Sequence, residues 1–409
     1  MKKFLLHVIA VIHVLLQIYV VALALFVFFW IVAPNFWPVY WGASVMPWLF
    51  LPLPIAYALT YVYELPIIKH LINILILSGI VILAPHILPG GTPKPKDYDE
   101  SQLLRVVSVN IAEGEKDLPA LLERINELGA DVVCFQEVLY YYPKSIEFRE
   151  RDQTRMIQQT LKMDGPFEGQ FEYEEGTYGL MTVSRFPVVQ SRLIELEDGR
   201  AQTATIRAGG KDIKIINVHL SASSYWRGEC ARGLSYFSDK LATARRTQDG
   251  QIQYLLVEEI EEKNTVLAGV FTLSEYMHKP YKRLTDVLID SYNTRGFGIG
   301  ATYPTGLPLI RIDYIFSTPD LVPVFARSIP TPYSDHAIVV TDLYVPGMRR
   351  PVYRRPARPR RNENTADENM TEGTNAAETD IIQPEMQTNQ SVNSNEQSSL
   401  PYSSTRTNI

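Results

Sequence analysis

Apolar runs end in polar groups at four places along the chain: Ser108-Val109-Asn110-Ile111, Phe135-Gln136-Glu137-Val138, Ile216-Asn217-Val218-His219-Leu220, and Arg311-Ile312-Asp313-Tyr314-Ile315 followed by Ser334-Asp335-His336-Ala337. Glu137 and Asp335 are of the type that holds a hard divalent cation, since Mg²⁺ usually takes only one or two carboxylates and keeps several waters. Imidazoles can donate a hydrogen bond to developing negative charge, and a carboxylate on the far nitrogen fixes the tautomer and raises the basicity. Taken singly, each residue has an ordinary structural reading. Asn110 and Glu137 read as loop or cap residues at strand ends, and His219 as a satisfied structural histidine. The ordered set is what chance does not readily produce.

The elements that must position these groups can be read from periodicity. Strands are expected at 104–111, 131–136, 179–184, 202–207, 213–219, 265–269, 312–316 and 337–343, and helices at 117–128, 152–163 and 238–262. The first of those helices places Leu118, Leu121, Leu122, Ile125 and Leu128 on one face. Strands interleaved with helices argue α/β layers, and a stretch running from 103 to 346 is long enough to bury a substantial core.

The composition is uneven. From Phe4 to Tyr63 there is no Asp, Glu, Lys or Arg. A hydrocarbon layer of roughly 30 Å takes about 20 apolar residues per helix, so segments 4–32, 44–62 and 65–84 are expected as three transmembrane helices. Trp30, Trp37, Tyr40, Trp41 and Trp48 lie where an interfacial aromatic belt would. The first segment lacks a clear small-residue exit and is longer than the apolar core of a signal peptide, so it reads as an anchor. Lys2 and Lys3 favour a cytoplasmic N-terminus, and three crossings then put the remainder on the outer side. Residues 1–88 form the anchor, and 89–102, with Pro89-Gly90-Gly91, a linker. Residues 347–409 form an Arg/Pro-rich and then polar tail, expected to be disordered.

Three spans without a central acidic residue offer no ion path, and His7 and His13 are a poor substitute, which argues against a transporter. The net charge of -6 sums over dissimilar parts. Arg245-Arg246 reads as a solvated helix face, and no basic, aromatic-interleaved groove marks a nucleic-acid binder. The two cysteines, Cys134 in an apolar run and Cys230 in a polar stretch, imply no disulfide framework.

In this order the motifs resemble the endonuclease/exonuclease/phosphatase superfamily, the fold of exonuclease III, pancreatic deoxyribonuclease, inositol polyphosphate phosphatases and bacterial sphingomyelinases. Tyr178-Gly179 through Ser184-Arg185-Phe186-Pro187 is similar to the family strand that closes in a Ser-Arg-x-Pro turn, and Gly300-Ala301-Thr302-Tyr303-Pro304 to its late loop. The resemblance implies a four-layer α/β sandwich: two packed mixed sheets with outer helices, here preceded by the three transmembrane helices. It implies Mg²⁺ (or Mn²⁺) on Glu137 and Asp335, a His336–Asp313 pair and His219 at the phosphate, Asn110 holding water or a phosphoryl oxygen, and Tyr178 binding substrate. The expected partners are a phosphate-ester substrate, whether lipid headgroup, nucleic acid or small molecule, and the membrane; no protein partner is identifiable. A bacterial inner membrane with the domain on the periplasmic side is the expected location.

One place departs from the family pattern. Where the family reads Gly-Asp-x-Asn, this chain reads Gly269-Val270-Phe271-Thr272. Valine can neither take a proton nor orient water, and losing a positioned general base typically removes on the order of 10²–10⁴ in rate. The open accounts are a substitute carboxylate, Glu275 or Asp286; weak hydrolysis of an easier ester by in-line attack of water; or a pseudoenzyme that binds phosphorylated ligands or acts as a scaffold.

Overall fold

The computed structural model describes residues 2–63, 65–114, 116–141, 152–172, 176–220 and 234–349. Cys230 and tail residues 350–409 lie outside the described residues.

The N-terminal segment is helical: α1 (Lys2–Val32), α2 (Trp37–Ala43), α3 (Met46–Phe50), α4 (Leu53–Tyr63) and α5 (Pro66–Ile87). Two stretches, His7–Val32 and Pro66–Ile87, are long and apolar enough to cross a membrane. The middle span expected over 44–62 is not one helix. Pro47, Pro52 and Pro54 each lack the amide that would continue a helix, and the segment breaks into α3 and α4. Yet the two long helices end at the same place: the Trp30 indole near the end of α1 donates to Tyr276 O at 3.1 Å, and the His86 ring near the end of α5 lies 4.9 Å from the Tyr276 ring. Helices α1 and α5 therefore run in parallel, and the chain needs a return leg between them. That leg is α3 with α4, whose far end meets the start of α5 where Lys69 Nζ sits 3.8 Å over the Tyr61 ring.

After α5 come β1 (Leu103–Asn110), α6 (Leu118–Glu127), β2 (Val132–Tyr141), α7 (Gln153–Leu161), β3 (Phe167–Glu172), β4 (Gly176–Ser184), β5 (Val188–Leu196), β6 (Gly199–Ala208), β7 (Lys211–His219), α8 (Leu234–Tyr254) and β8 (Thr265–Val270). Then follow α9 (His278–Thr285), β9 (Ile289–Asp290), α10 (Ser291–Arg295), β10 (Asp313–Ser317), β11 (Val322–Ile329) and β12 (Ile338–Tyr344). The expected strands are present. Strands β3, β5, β9 and β11 are additional; the solvent-facing pattern of β5, with most side chains at least partly exposed, explains why its sequence lacks an apolar run.

Two six-stranded mixed sheets result, ordered β11-β12-β1-β2-β4-β3 and β5-β6-β7-β8-β10-β9. Strand β1 pairs in parallel with β2 and antiparallel with β12, so it is central and buried along its length. The period of two sorts its side chains: Val106 faces the second sheet, packing among Val132, Ile215 and Val266, while Val107 and Val109 face α6 and α7. Helix α6 starts at an Asp117 cap that accepts from Ala120 N at 3.0 Å and buries Leu118, Leu121, Leu122 and Ile125.

The outer face of the second sheet, with Ile216, Leu267, Phe271 and Tyr314, packs under Ile252 of α8 and is continuous with Val20, Leu23, Met46, Phe50 and Leu75 of the N-terminal helices. The layers run α6/α7, first sheet, second sheet, then α8 and α9 together with the apolar segment, a four-layer α/β sandwich.

Candidate active site

Glu137 anchors the upper half of the site. A bulge in β2, where the pairing with β4 shifts between Phe135 and Val138, puts Glu137 in the left-handed region at φ 59°. A non-glycine residue there is uncommon, and such bulges re-aim side chains. Asn110, at the end of the neighbouring β1, donates from Nδ2 to Glu137 Oε1 at 2.9 Å, and its own Oδ1 accepts from Ala112 N. The Tyr178 hydroxyl on β4 donates to Glu137 Oε2 at 3.4 Å, and His219 Nε2, at the end of β7, stands 3.8 Å from Oε1. Both sheets thus contribute to one carboxylate.

The lower half hangs on β1 as well. Ser334 Oγ donates to Asn110 O at 2.7 Å and accepts from His336 N, which fixes the turn carrying Asp335 and His336. His336 Nδ1 lies 2.9 and 3.0 Å from the two oxygens of Asp313, at the start of β10. That arrangement leaves Nε2 as the nitrogen available to a ligand. Burial lowers the His336 pKa, but the charge and hydrogen bond of Asp313 outweigh it, and the net shift is upward. Burial pulls His219 the other way, below its ordinary value, and Glu137 only partly offsets this. The charges of Glu137, Asp313 and the two histidines are felt mutually, so the two halves form one electrostatic site.

A hard cation fits this donor set. Asp335 Oδ1 is buried with no hydrogen-bond partner among the described residues, and Glu137 is a partly exposed oxygen donor beside an amide. No cluster of three or more metal-ligating side chains occurs among the described residues. A cation held here would take few protein ligands and mostly water, as Mg²⁺ does.

Between His219 and Asp313 lies the gap in the chemistry. Strand β8 pairs with β7 so that Val270 stands opposite His219, and with β10 so that it stands opposite Asp313. Directly opposed residues share a sheet face, so His219, Val270 and Asp313 form one row with an isopropyl group in the middle. The backbone approaching that point is demanding: Gly269 has φ +138°, and a Cβ there would fall 1.9 Å from Val218 O. Just beyond, Thr272 adopts φ 54° with its hydroxyl buried and without a partner among the described residues. This is a conformation asparagine tolerates and a β-branched residue resists.

Neither proposed substitute reaches the row. Glu275 accepts from the hydroxyl of Tyr314 at 3.1 Å, and Tyr314 follows Asp313 on the strand, so it faces the opposite side of the sheet. Asp286 is exposed and paired with Lys282 at 2.6 Å. The sequence motifs contain Ser334 and Tyr303 without giving either a role: Ser334 acts through a backbone contact across the fold, and the Tyr303 ring lies 4.9 Å from that of His336.

A sequence profile described as the Endonuclease/Exonuclease/phosphatase family matches residues 107–336, from β1 to His336. The chain belongs to this family. Among curated relatives, the Uncharacterized protein YbhP of Escherichia coli (strain K12) is 24% identical over 277 residues, covering 61% of this chain and 99% of that protein. Two solved structures share the family's description. An endonuclease/exonuclease/phosphatase from Beutenbergia cavernae has 21% identity and a TM-score of 0.47, covering 60% of this chain and 72% of that one. A family protein from Leptotrichia buccalis has 18% identity and a TM-score of 0.46, covering 59% of this chain and 99% of that one. The matched stretch contains Asn110, Glu137, His219, Asp313, Asp335 and His336.

Proposed function

We propose that this family member is a membrane-anchored, divalent-metal-dependent phosphoesterase whose water-activating step is impaired. The observation that carries the reading is the His336–Asp313 pair beside the Glu137 and Asp335 oxygens, with Val270 seated in the same row. Glu137 and Asp335 would hold Mg²⁺ or Mn²⁺, which when bound neutralises phosphoryl oxygens.

The residues supply the rest. Asp313 accepts from His336 Nδ1 and favours the doubly protonated ring, whose Nε2–H can donate to a phosphoryl oxygen as charge develops there. His219 offers a second donor from the other sheet, Asn110 orients Glu137, and Tyr178 closes the side. Hydrolysis would proceed by in-line attack of water without a covalent enzyme intermediate. The side chain at 270 contributes nothing to orienting that water. Helices α1 and α5, with the α3–α4 return leg, would anchor the protein in a bacterial inner membrane with the site on the periplasmic side. Lipid-headgroup, nucleic-acid and small phosphate esters remain the substrate classes to compare.

The same valine favours a second reading, a pseudoenzyme that binds phosphate ligands without turning them over. The test is Mg²⁺- and Mn²⁺-dependent hydrolysis of bis(p-nitrophenyl) phosphate by the full-length protein in detergent, followed by a panel of lipid, nucleic-acid and sugar phosphates. Turnover abolished by Glu137→Ala and by His336→Ala establishes the enzyme. Absence of turnover, with activity gained by Val270→Asp/Thr272→Asn, establishes the silent protein.

A further inference from the structure

Aromatic donors of the apolar N-terminal segment hold the two loops that complete the site. The Trp48 indole on α3 donates to Leu309 O at 2.7 Å. Leu309 N and Ile310 N in turn donate to Tyr303 O, and Tyr303 N to Ile310 O, closing a small hairpin. That hairpin touches the acid and histidine of the site at several points. Thr305 donates from N to Asp335 O at 2.9 Å and from its hydroxyl to Ser334 O at 2.7 Å. Thr302 O accepts from Ala337 N, and the Thr302 hydroxyl accepts from Asp313 N at 3.2 Å. The Tyr303 ring packs on His336.

The second loop is held in the same manner. The Tyr40 hydroxyl donates to Gln248 Oε1, Gln248 Nε2 donates to Phe271 O at 2.6 Å, between Val270 and Thr272, and the Trp30 indole donates to Tyr276 O. An indole N–H in an apolar seam must find an acceptor or lose the value of its hydrogen bond, so these contacts fix where the loops sit.

We propose that the apolar segment is a positioning part of the site, with Trp48 setting the 302–310 hairpin and through it the placement of His336 and Asp335. This rests on the phosphoesterase reading for its purpose, though not for its test. The segment would then be required for ligand affinity even in the absence of any membrane.

The experiment is hydrogen exchange on the full-length protein in detergent, wild type against Trp48→Phe, which keeps the ring and removes the donor, with Tyr61→Phe as a control at the far end of the segment. Exchange in 302–310 and at Ala337 should accelerate by roughly five- to tenfold in Trp48→Phe, the effect of one lost hydrogen bond, while the core amides of β12 stay unchanged. Mn²⁺ affinity, read by electron paramagnetic resonance, should weaken in the same variant and not in Tyr61→Phe. Unaltered exchange in the hairpin, or equal acceleration across β12, overturns the proposal. If no variant and no wild type binds Mn²⁺, the metal reading of the site fails, and the hairpin exchange still decides the coupling.

Discussion

Gln136 Nε2 donates to Asn217 Oδ1 at 2.8 Å, a bond between the two sheets made by wholly buried side chains. Gln136 precedes Glu137 on β2, and Asn217 lies two residues before His219 on β7, so the bond is the floor of the site. Asn217 Nδ2 donates onward to Phe135 O at 3.0 Å and Met181 O at 3.2 Å. Replacing Asn217 with leucine removes the bond between the sheets, leaving Gln136 Nε2 with Ser108 Oγ and Cys134 O at 3.2 Å, and takes a donor from Phe135 O and Met181 O. The expected cost is about 1–3 kcal/mol for each group left unsatisfied, read as a lower thermal midpoint. Mn²⁺ affinity should fall as well, because Glu137 loses its support from below.

Placing a carboxylate at position 270 should restore what the row lacks. Val270→Asp with Thr272→Asn is expected to raise metal-dependent hydrolysis of a generic phosphodiester by on the order of 10²–10⁴. The same change sets carboxylates side by side at 270 and 313. The metal-free double variant should therefore melt earlier than Thr272→Asn alone, and added Mn²⁺ should recover more of the midpoint in the double variant. An unchanged rate with the metal bound would show that the row does not orient the attacking water.

Thr272→Asn alone should stabilise the fold. The residue sits at φ 54°, where a β-branched side chain is strained by on the order of 1–3 kcal/mol and asparagine much less. Part of that strain should be relieved, visible as a thermal midpoint higher by a few degrees.

Glu275 should give the protein a pH-dependent stability unrelated to turnover. Burial raises its pKa to about 7, with Arg311 only partly opposing the shift. Between the ordinary carboxyl range, roughly 4.3, and that raised value, the folded state keeps a proton that the unfolded chain releases. The stability contribution is therefore full at low pH and is lost as pH rises through about 7. Glu275→Gln should flatten this slope in thermal melts between pH 5 and pH 8, and a slope of wild-type steepness in the variant would assign the dependence elsewhere.

Much of this architecture was legible because its signals are local. Strand β1 is a largely buried apolar run ending in Asn110, β2 opens with one that reaches Glu137, β8 is buried along its length, and α6 shows its face in Leu118, Leu121, Leu122 and Ile125. Less was legible where a residue's role depends on a distant partner. Ser334 is unremarkable until β1 brings Asn110 O to it, and Glu275 is a plausible base until Tyr314 shows which side of the sheet it faces. The broken middle span followed from a conflict within the sequence itself: its apolar composition suits a span, while Pro47, Pro52 and Pro54 deny it a continuous helix.

The β1–β12 pairing also sets an order of events for the nascent chain. Strand β1, which supports Asn110 and the Ser334 turn, emerges early, yet its antiparallel neighbour is the last strand among the described residues. Until Tyr344 has been synthesised, one edge of β1 stays open. Truncations that remove β12 should therefore accumulate as aggregates rather than as smaller folded proteins.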